Sequence, residues 1–196
     1  MAKIKARLNG TKKDAIIQSA AALFRSKGFK ASSMRELAEA IGVEAPSLYN
    51  HIGSKSELLQ HICFKIAADF TRNLQMTEDS GDTAVNKIRQ LISFHIQMML
   101  LEYDEVYVAN HEWKHLEEPY LSDFLNQRRQ YEKRMTQLVK DGISKKELKN
   151  IHPHVAVLTI LSAVRGIEFW QRHKTAISAK ELEENMVDHL LNGLII

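Results

Sequence analysis

Apolar residues along this chain recur three and four positions apart, the spacing of helices rather than the alternation of strands. Ile16, Ala20 and Leu23, with Ile17, Ala21 and Phe24, form the first stripe and predict a helix over about 12–27, stopped by Gly28. A short helix is predicted from Met34 to Ala40, with Leu37, Ala38 and Ile41 inward and Gly42 as its breaker. A second, from Ala45 to Ile52, is anchored by Leu48 and Ile52 and ended by Gly53. Leu59, Ile62, Ile66 and Phe70 mark a longer helix from Lys55 to about Gln75, and the polar stretch 76–82 reads as a loop. Val85, Ile88, Ile92, His95 and Met99 mark the next helix, and another runs from about Asp104 to Leu116, ahead of Pro119. Leu121, Phe124, Arg128, Tyr131, Met135 and Leu138 give a long helix ending at Asp141-Gly142. Residues 153–173 are apolar nearly all round, and a last helix spans Ala179 to about Asn192.

Helix starts carry Ser/Thr-x-x-Asp/Glu, in which a hydroxyl and a carboxylate satisfy the first orphan N–H groups. The pattern occurs at Thr11…Asp14, Ser33…Glu36, Ser54…Glu57 and Ser178…Glu181. With 3 Pro and 8 Gly in 196 residues, turn chemistry is too sparse for many short strands, and the expected fold class is all-α. The predicted division is a small N-terminal domain over 1–54 and a helical body over 55–196. Cys63 is the one cysteine, which excludes an intrachain disulfide and any Cys-rich zinc site; its place on an apolar stripe predicts a buried thiol. The basic start lacks the apolar stretch of a signal peptide, and no run is apolar enough to span a bilayer. The chain is therefore expected in the cytoplasm, without a membrane partner. No Gly-rich phosphate loop occurs, and no cofactor is expected.

Charge sharpens the division. Residues 1–60 hold ten Lys or Arg against five Asp or Glu, although the whole chain is only +3. A basic head on a mildly acidic body suits a polyanionic partner. Two short helices joined by a Gly-containing turn make the helix-turn-helix shape, whose second helix fits the major groove. With Leu48 and Ile52 inward, Ala45, Pro46, Ser47, Tyr49, Asn50 and His51 face outward, as suits base edges and thymine methyl groups.

These residues carry a family resemblance. Residues 12–59, with the matching text AIIQSAAALFRSKGFKASSMRELAEAIGVEAPSLYNHIGSKSELL from Ala15 to Leu59, resemble the DNA-binding head of the tetracycline-repressor (TetR) family. The matches include Arg35-Glu36-Leu37-Ala38, Gly42-Val43, Leu48-Tyr49, His51 and Ser54-Lys55-x-Glu57-Leu58-Leu59. The resemblance implies a dimeric transcriptional regulator, usually a repressor released from its double-stranded DNA operator by a small effector. It implies phosphate contacts at Ser33, Tyr49 and Lys55, groove contacts at Ala45, Pro46, Ser47 and Asn50, and a place for Arg35 and His51 in the same interface. Glu44 departs from the pattern: the family often has Ser or Thr there, and a carboxylate repels phosphate.

The body resembles the family in helical layout. Glu112-Trp113 with Leu116, Arg128 and His152-Pro153 look like a C-terminal subgroup whose members include sensors of CoA thioesters. Candidate walls of an effector cavity are Phe70, His95, Met98, Met99, Tyr107, Trp113, Tyr131 and Trp170, a set that plain core packing also accounts for. A helix apolar on every side needs a partner surface, so Leu158, Leu161, Arg165 and Phe169, with Met186, Leu190 and Leu194, are the expected homodimer interface.

One motif belongs to another chemistry. His111-Glu112-x-x-His115 spells H-E-x-x-H, in which two histidines on one helical face hold zinc and the glutamate activates water. A metal-dependent hydrolase is thus the alternative function. A third protein ligand is not evident, although His95 could join His111 and His115 in a non-catalytic metal site.

Overall fold

Caps and glycines set the helix boundaries in the computed structural model, which describes residues 12–50, 52–173 and 177–195. His51 and the Thr11 cap lie outside the described residues. The elements are α1 (Lys12–Lys27), α2 (Met34–Ile41), α3 (Ala45–Tyr49), α4 (Lys55–Asp79), α5 (Ala84–Leu101), α6 (Tyr103–His111), α7 (Tyr120–Ser144), α8 (Pro153–Arg165), α9 (Ile167–His173) and α10 (Ala179–Asn192). A single 3-10 turn covers Trp113–His115. Among the described residues, extended pairing is confined to an isolated bridge between Leu148 and Ile195, so the class is all-α.

Four predicted boundaries are corrected. Helix α3 stops at Tyr49, although Ile52 still anchors the core at 1% exposure. Helix α4 runs on to Asp79, into the first half of the stretch 76–82 read as a loop, and leaves 80–82 non-helical: no breaker precedes Ser80-Gly81, Thr77 is buried, and the Gln75 amide donates to Asp79. Helix α6 ends at His111, and the chain tightens into the 3-10 turn instead of continuing to Leu116. The segment 153–173 is two helices. At Gly166 the backbone tightens to three-residue spacing, with Gly166 N–H donating to Ala163 O and Phe169 N–H to Gly166 O, both at 3.0 Å.

Two compact units are present. The first comprises the chain through Ile66 together with Asp104–Phe124; the second comprises Ala67–Tyr103 and Leu125 onward. Compactness therefore groups α6 and the following turn with the head, whereas the sequence places a boundary at 54/55. Phe24, Leu37, Leu48, Ile52, Leu58, Ile62, Cys63, Val108 and Leu116 form the core of the first unit. In the second, α5 packs against α8, α9 and α10, and Leu91, Ile92, Ile96, Val157, Ile160, Val164 and Leu191 fill the space. Gly142 permits the close approach of neighbouring chain there: a Cβ would sit 2.6 Å from Leu148 Cδ1 and 2.8 Å from Ala84 Cβ.

Candidate DNA-reading head and sensor unit

The head is built by local punctuation. Gly28 (φ +83°) ends α1 and Gly42 (φ +73°) ends α2, both in the left-handed region that favours glycine. Ser33 caps α2 through a complete capping box: its hydroxyl accepts from Glu36 N–H, and the Glu36 carboxylate accepts from Ser33 N–H and Oγ–H. Lys27 adds an ion pair at 2.5 Å. Its ammonium, with the Ser33 donors, holds the Glu36 carboxyl down at about 2. Pro46 lies in the first turn of α3, and Glu44 at the N-cap makes no side-chain capping bond.

Only Leu48 of α3 is buried; Pro46, Ser47, Tyr49 and Asn50 are exposed and Ala45 is half-buried. The predicted groove-facing set thus stands on the surface, with His51 outside the described residues. Arg35 is exposed on α2 and pairs with Glu39 at 3.3 Å. Ser33 is exposed, with its hydroxyl engaged in the cap.

Lys55 is engaged within its own chain. Its ammonium donates to three backbone carbonyls of the α1–α2 turn, Phe29 at 2.7 Å, Ser32 at 2.8 Å and Lys30 at 3.3 Å, and lies 4.5 Å from the centre of the Phe29 ring. All three of its protons are engaged inside the head in this structure. No sequence signal joins Lys55 to carbonyls more than twenty residues earlier.

Six of the eight predicted effector-wall residues fall in the second unit. Phe70, His95 and Tyr131 form a cluster in the second unit: Phe70 lies 4.5 Å from His95 and 5.9 Å from Tyr131, and 5.4 Å from Phe94. His95 Nε2 and Tyr131 Oη share a 2.7 Å hydrogen bond. Burial, with the Arg165 charge secondary, lowers the His95 pKa to about 3, and burial raises that of Tyr131. Met98 and Met99 are buried in the same unit. Trp170 is half-buried there, and its indole Nε1 is enclosed without a hydrogen-bond partner, as is Asn73 Oδ1. Tyr107 and Trp113 belong to the first unit. Two surface grooves of the second unit, each about 340 Å³, include none of the eight: Arg89, Lys180, Glu183 and Asp188 line one, and Arg129, Lys133, Lys140 and His154 line the other.

The H-E-x-x-H motif does not lie on a single helix. An H-E-x-x-H site needs one helical face through both histidines, but α6 ends at His111, and His115 sits in the 3-10 turn. Glu112 accepts the Phe29 N–H at 3.0 Å, and His115 stacks on the Phe29 ring at 5.5 Å. Among the described residues no cluster of three His, Cys, Asp or Glu could hold a metal ion. No helix in the described residues is long and apolar enough to cross a membrane.

Of the expected dimer residues, Leu158 and Phe169 are 55% and 67% exposed, Arg165 is exposed, and Leu161, Met186 and Leu190 are half-buried. Leu194 is corrected: it is 6% exposed, held inside its own chain, where its carbonyl accepts from Lys149 N–H at 2.8 Å.

Comparison with known proteins agrees with this architecture. Residues 16–62 match the family described as bacterial regulatory proteins, tetR family, and residues 81–194 match the tetracyclin repressor-like C-terminal domain. The transcriptional repressor KstR2 of Mycolicibacterium smegmatis is 20% identical over 189 residues, covering 94% of this chain and 91% of that protein. The structure of the ketosteroid regulator KstR2 of Mycobacterium tuberculosis superposes with a TM-score of 0.88 at 18% identity, over 99% of this chain and 100% of that one. AibR, solved with isovaleryl coenzyme A and operator DNA, gives 0.80 at 22% identity, over 92% and 98%. With both its head and most of its body matched, this chain belongs to the tetR family of bacterial regulatory proteins.

Proposed function

We propose that this chain is a dimeric, ligand-responsive DNA-binding repressor acting in the cytoplasm. The observation that carries this function is the paired family match, head and body, on a chain whose short α3 leaves Pro46, Ser47, Tyr49 and Asn50 exposed around one buried anchor, Leu48. Ser47 and Asn50 read base edges, Tyr49 and Ser33 touch the backbone, and Arg35 lies at the margin of the interface. The function has no catalytic step.

The dimer forms through α8, α9 and α10, where Leu158 and Phe169 expose a large apolar surface beside Arg165, Leu161, Met186 and Leu190. A two-fold dimer sets two recognition helices about 34–36 Å apart, one turn of DNA. The effector is a small apolar or acyl-CoA-like molecule held in the second unit. Its support is the ring cluster at Phe70, Phe94, His95 and Tyr131, with the enclosed Trp170 N–H and Asn73 carbonyl as unmet polar groups. AibR's ligand, isovaleryl coenzyme A, sets the first compounds to screen. An effector that favours a head spacing mismatched to successive grooves releases the DNA; one binding both spacings equally shifts nothing.

Selection of duplexes from a random library by the full chain tests the function. Enrichment of a two-half-site sequence, bound with an affinity that falls with salt by about 0.9 log units per neutralised phosphate, is expected. Recovery of unselected sequence contradicts it.

A further inference from the structure

We infer that Glu112 and His115, the residues of the unused H-E-x-x-H motif, form a latch with Lys55 that positions the DNA-reading helices through Phe29. This role depends on the head being a DNA reader, as proposed above. Phe29 is held on every side that chemistry offers. Its N–H donates to Glu112 Oε2 at 3.0 Å, and its carbonyl accepts from the Lys55 ammonium at 2.7 Å. Its ring takes Phe24 on edge at 5.3 Å, His115 in a stack at 5.5 Å, and the Lys55 cation at 4.5 Å.

The gripped residue lies in the turn that aims α2. Gly28 to Ser32 connect α1 to the Ser33 cap, and the turn is closed on itself by Ser32 Oγ donating to Gly28 O at 2.7 Å. Lys55 also ties Ser32 O, the last carbonyl before the cap. A shift of this turn therefore moves the start of α2 and, through the Leu37 and Leu48 core, the pose of α3. Glu112 and His115 are 14% and 19% exposed, and 3.6 Å separates the Glu112 carboxylate from His115 Nε2. A half-enclosed carboxylate accepting a buried-turn N–H is a strong fixing contact, because loss of the acceptor leaves that donor unmet. Glu112 and His115 act through Phe29 and are positioning residues.

Charge and position predict opposite signs, which makes the latch testable. Glu112→Ala removes a negative charge from a DNA-binding unit, so a purely electrostatic role would raise affinity for every duplex. The latch predicts instead that affinity for the selected operator falls about tenfold, with non-specific affinity and the salt slope unchanged. The Glu112→Gln variant, which keeps an acceptor oxygen without the charge, recovers most of the operator affinity. Hydrogen exchange reads the contact directly: the Phe29 amide loses protection in Glu112→Ala and keeps it in Glu112→Gln. Glu112→Asp keeps the charge and shortens the reach by a methylene; it carries the test if the alanine variant does not fold, with a smaller operator-specific loss expected. Operator affinity unchanged in the folded variants, or lost equally for operator and random duplex, overturns the latch while leaving the DNA-binding function standing. Absence of sequence-specific binding by the unaltered chain overturns both.

Discussion

The two compact units use side chains at different depths. In the head the chemistry is outside: α3 is five residues long, one of them is buried, and the side chains proposed to face the groove stand on a scaffold of caps and glycine turns. In the second unit the chemistry lies deeper: Phe70, His95 and Tyr131 are half-buried and the unmatched Trp170 N–H is enclosed, among helices from distant parts of the sequence. An outward reader needs rigidity from its own turns, because a polymer as large as DNA cannot be surrounded. An inward sensor surrounds its ligand and can hold polar groups in a dry setting, where a missing partner is costly.

The largest expected effect sharpens this contrast. Leu48→Ala removes the sole buried side chain of α3, at a cost of about 2–5 kcal/mol. The head should lose DNA binding, while near-ultraviolet circular dichroism and effector binding report an intact second unit. Loss of both units in one transition would break the comparison. Next in size, Leu158→Glu places a charge on the 55% exposed leucine of α8. An interface centred there loses about 2 kcal/mol or more, seen by sedimentation as a shift to monomer; an unchanged dimer would move the interface elsewhere.

The inward unit has a pH signature. His95 is held neutral down to about 3, against an ordinary 6.5. Below pH 6.5 the unfolded chain takes up a proton that the folded chain refuses. Stability is therefore full above that pH and falls below it, by up to about 1.4 kcal/mol per pH unit from this group. Urea titrations between pH 7 and pH 4 should show the slope, and His95→Gln should flatten it. Tyr131→Phe leaves the His95 nitrogen without its partner, costing about 1–3 kcal/mol at neutral pH. Smallest is Ser33→Ala, which opens the capping box for about 1 kcal/mol and weakens operator binding without altering the second unit.

Legibility in the sequence followed the same divide. The head's devices are local: Ser33 to Glu36, Gly28 and Gly42 act within a few residues, and the α2 cap stands where the spacing predicts it. Long-range contacts were not readable. Nothing near Lys55 indicates that its ammonium turns back onto Phe29 and Ser32, and nothing near Glu112 indicates a partner 83 residues earlier. The H-E-x-x-H spelling misleads because it assumes a helix that ends at His111. Helix α4 outran its prediction because polar residues alone do not stop a helix; the stop is Ser80-Gly81. Leu194 fits an amphipathic stripe, but the chain beyond α10 folds back beside Lys149 and buries it.

One measurement bears most directly on the whole account: affinity of the purified chain for its library-selected duplex, titrated across salt with and without an acyl-CoA thioester. Sequence-specific, salt-dependent binding by a dimer is expected, weakened by the thioester, with the thioester's own affinity weakened by the operator to the same factor. A chain that binds selected and random duplexes alike at every salt concentration would contradict it.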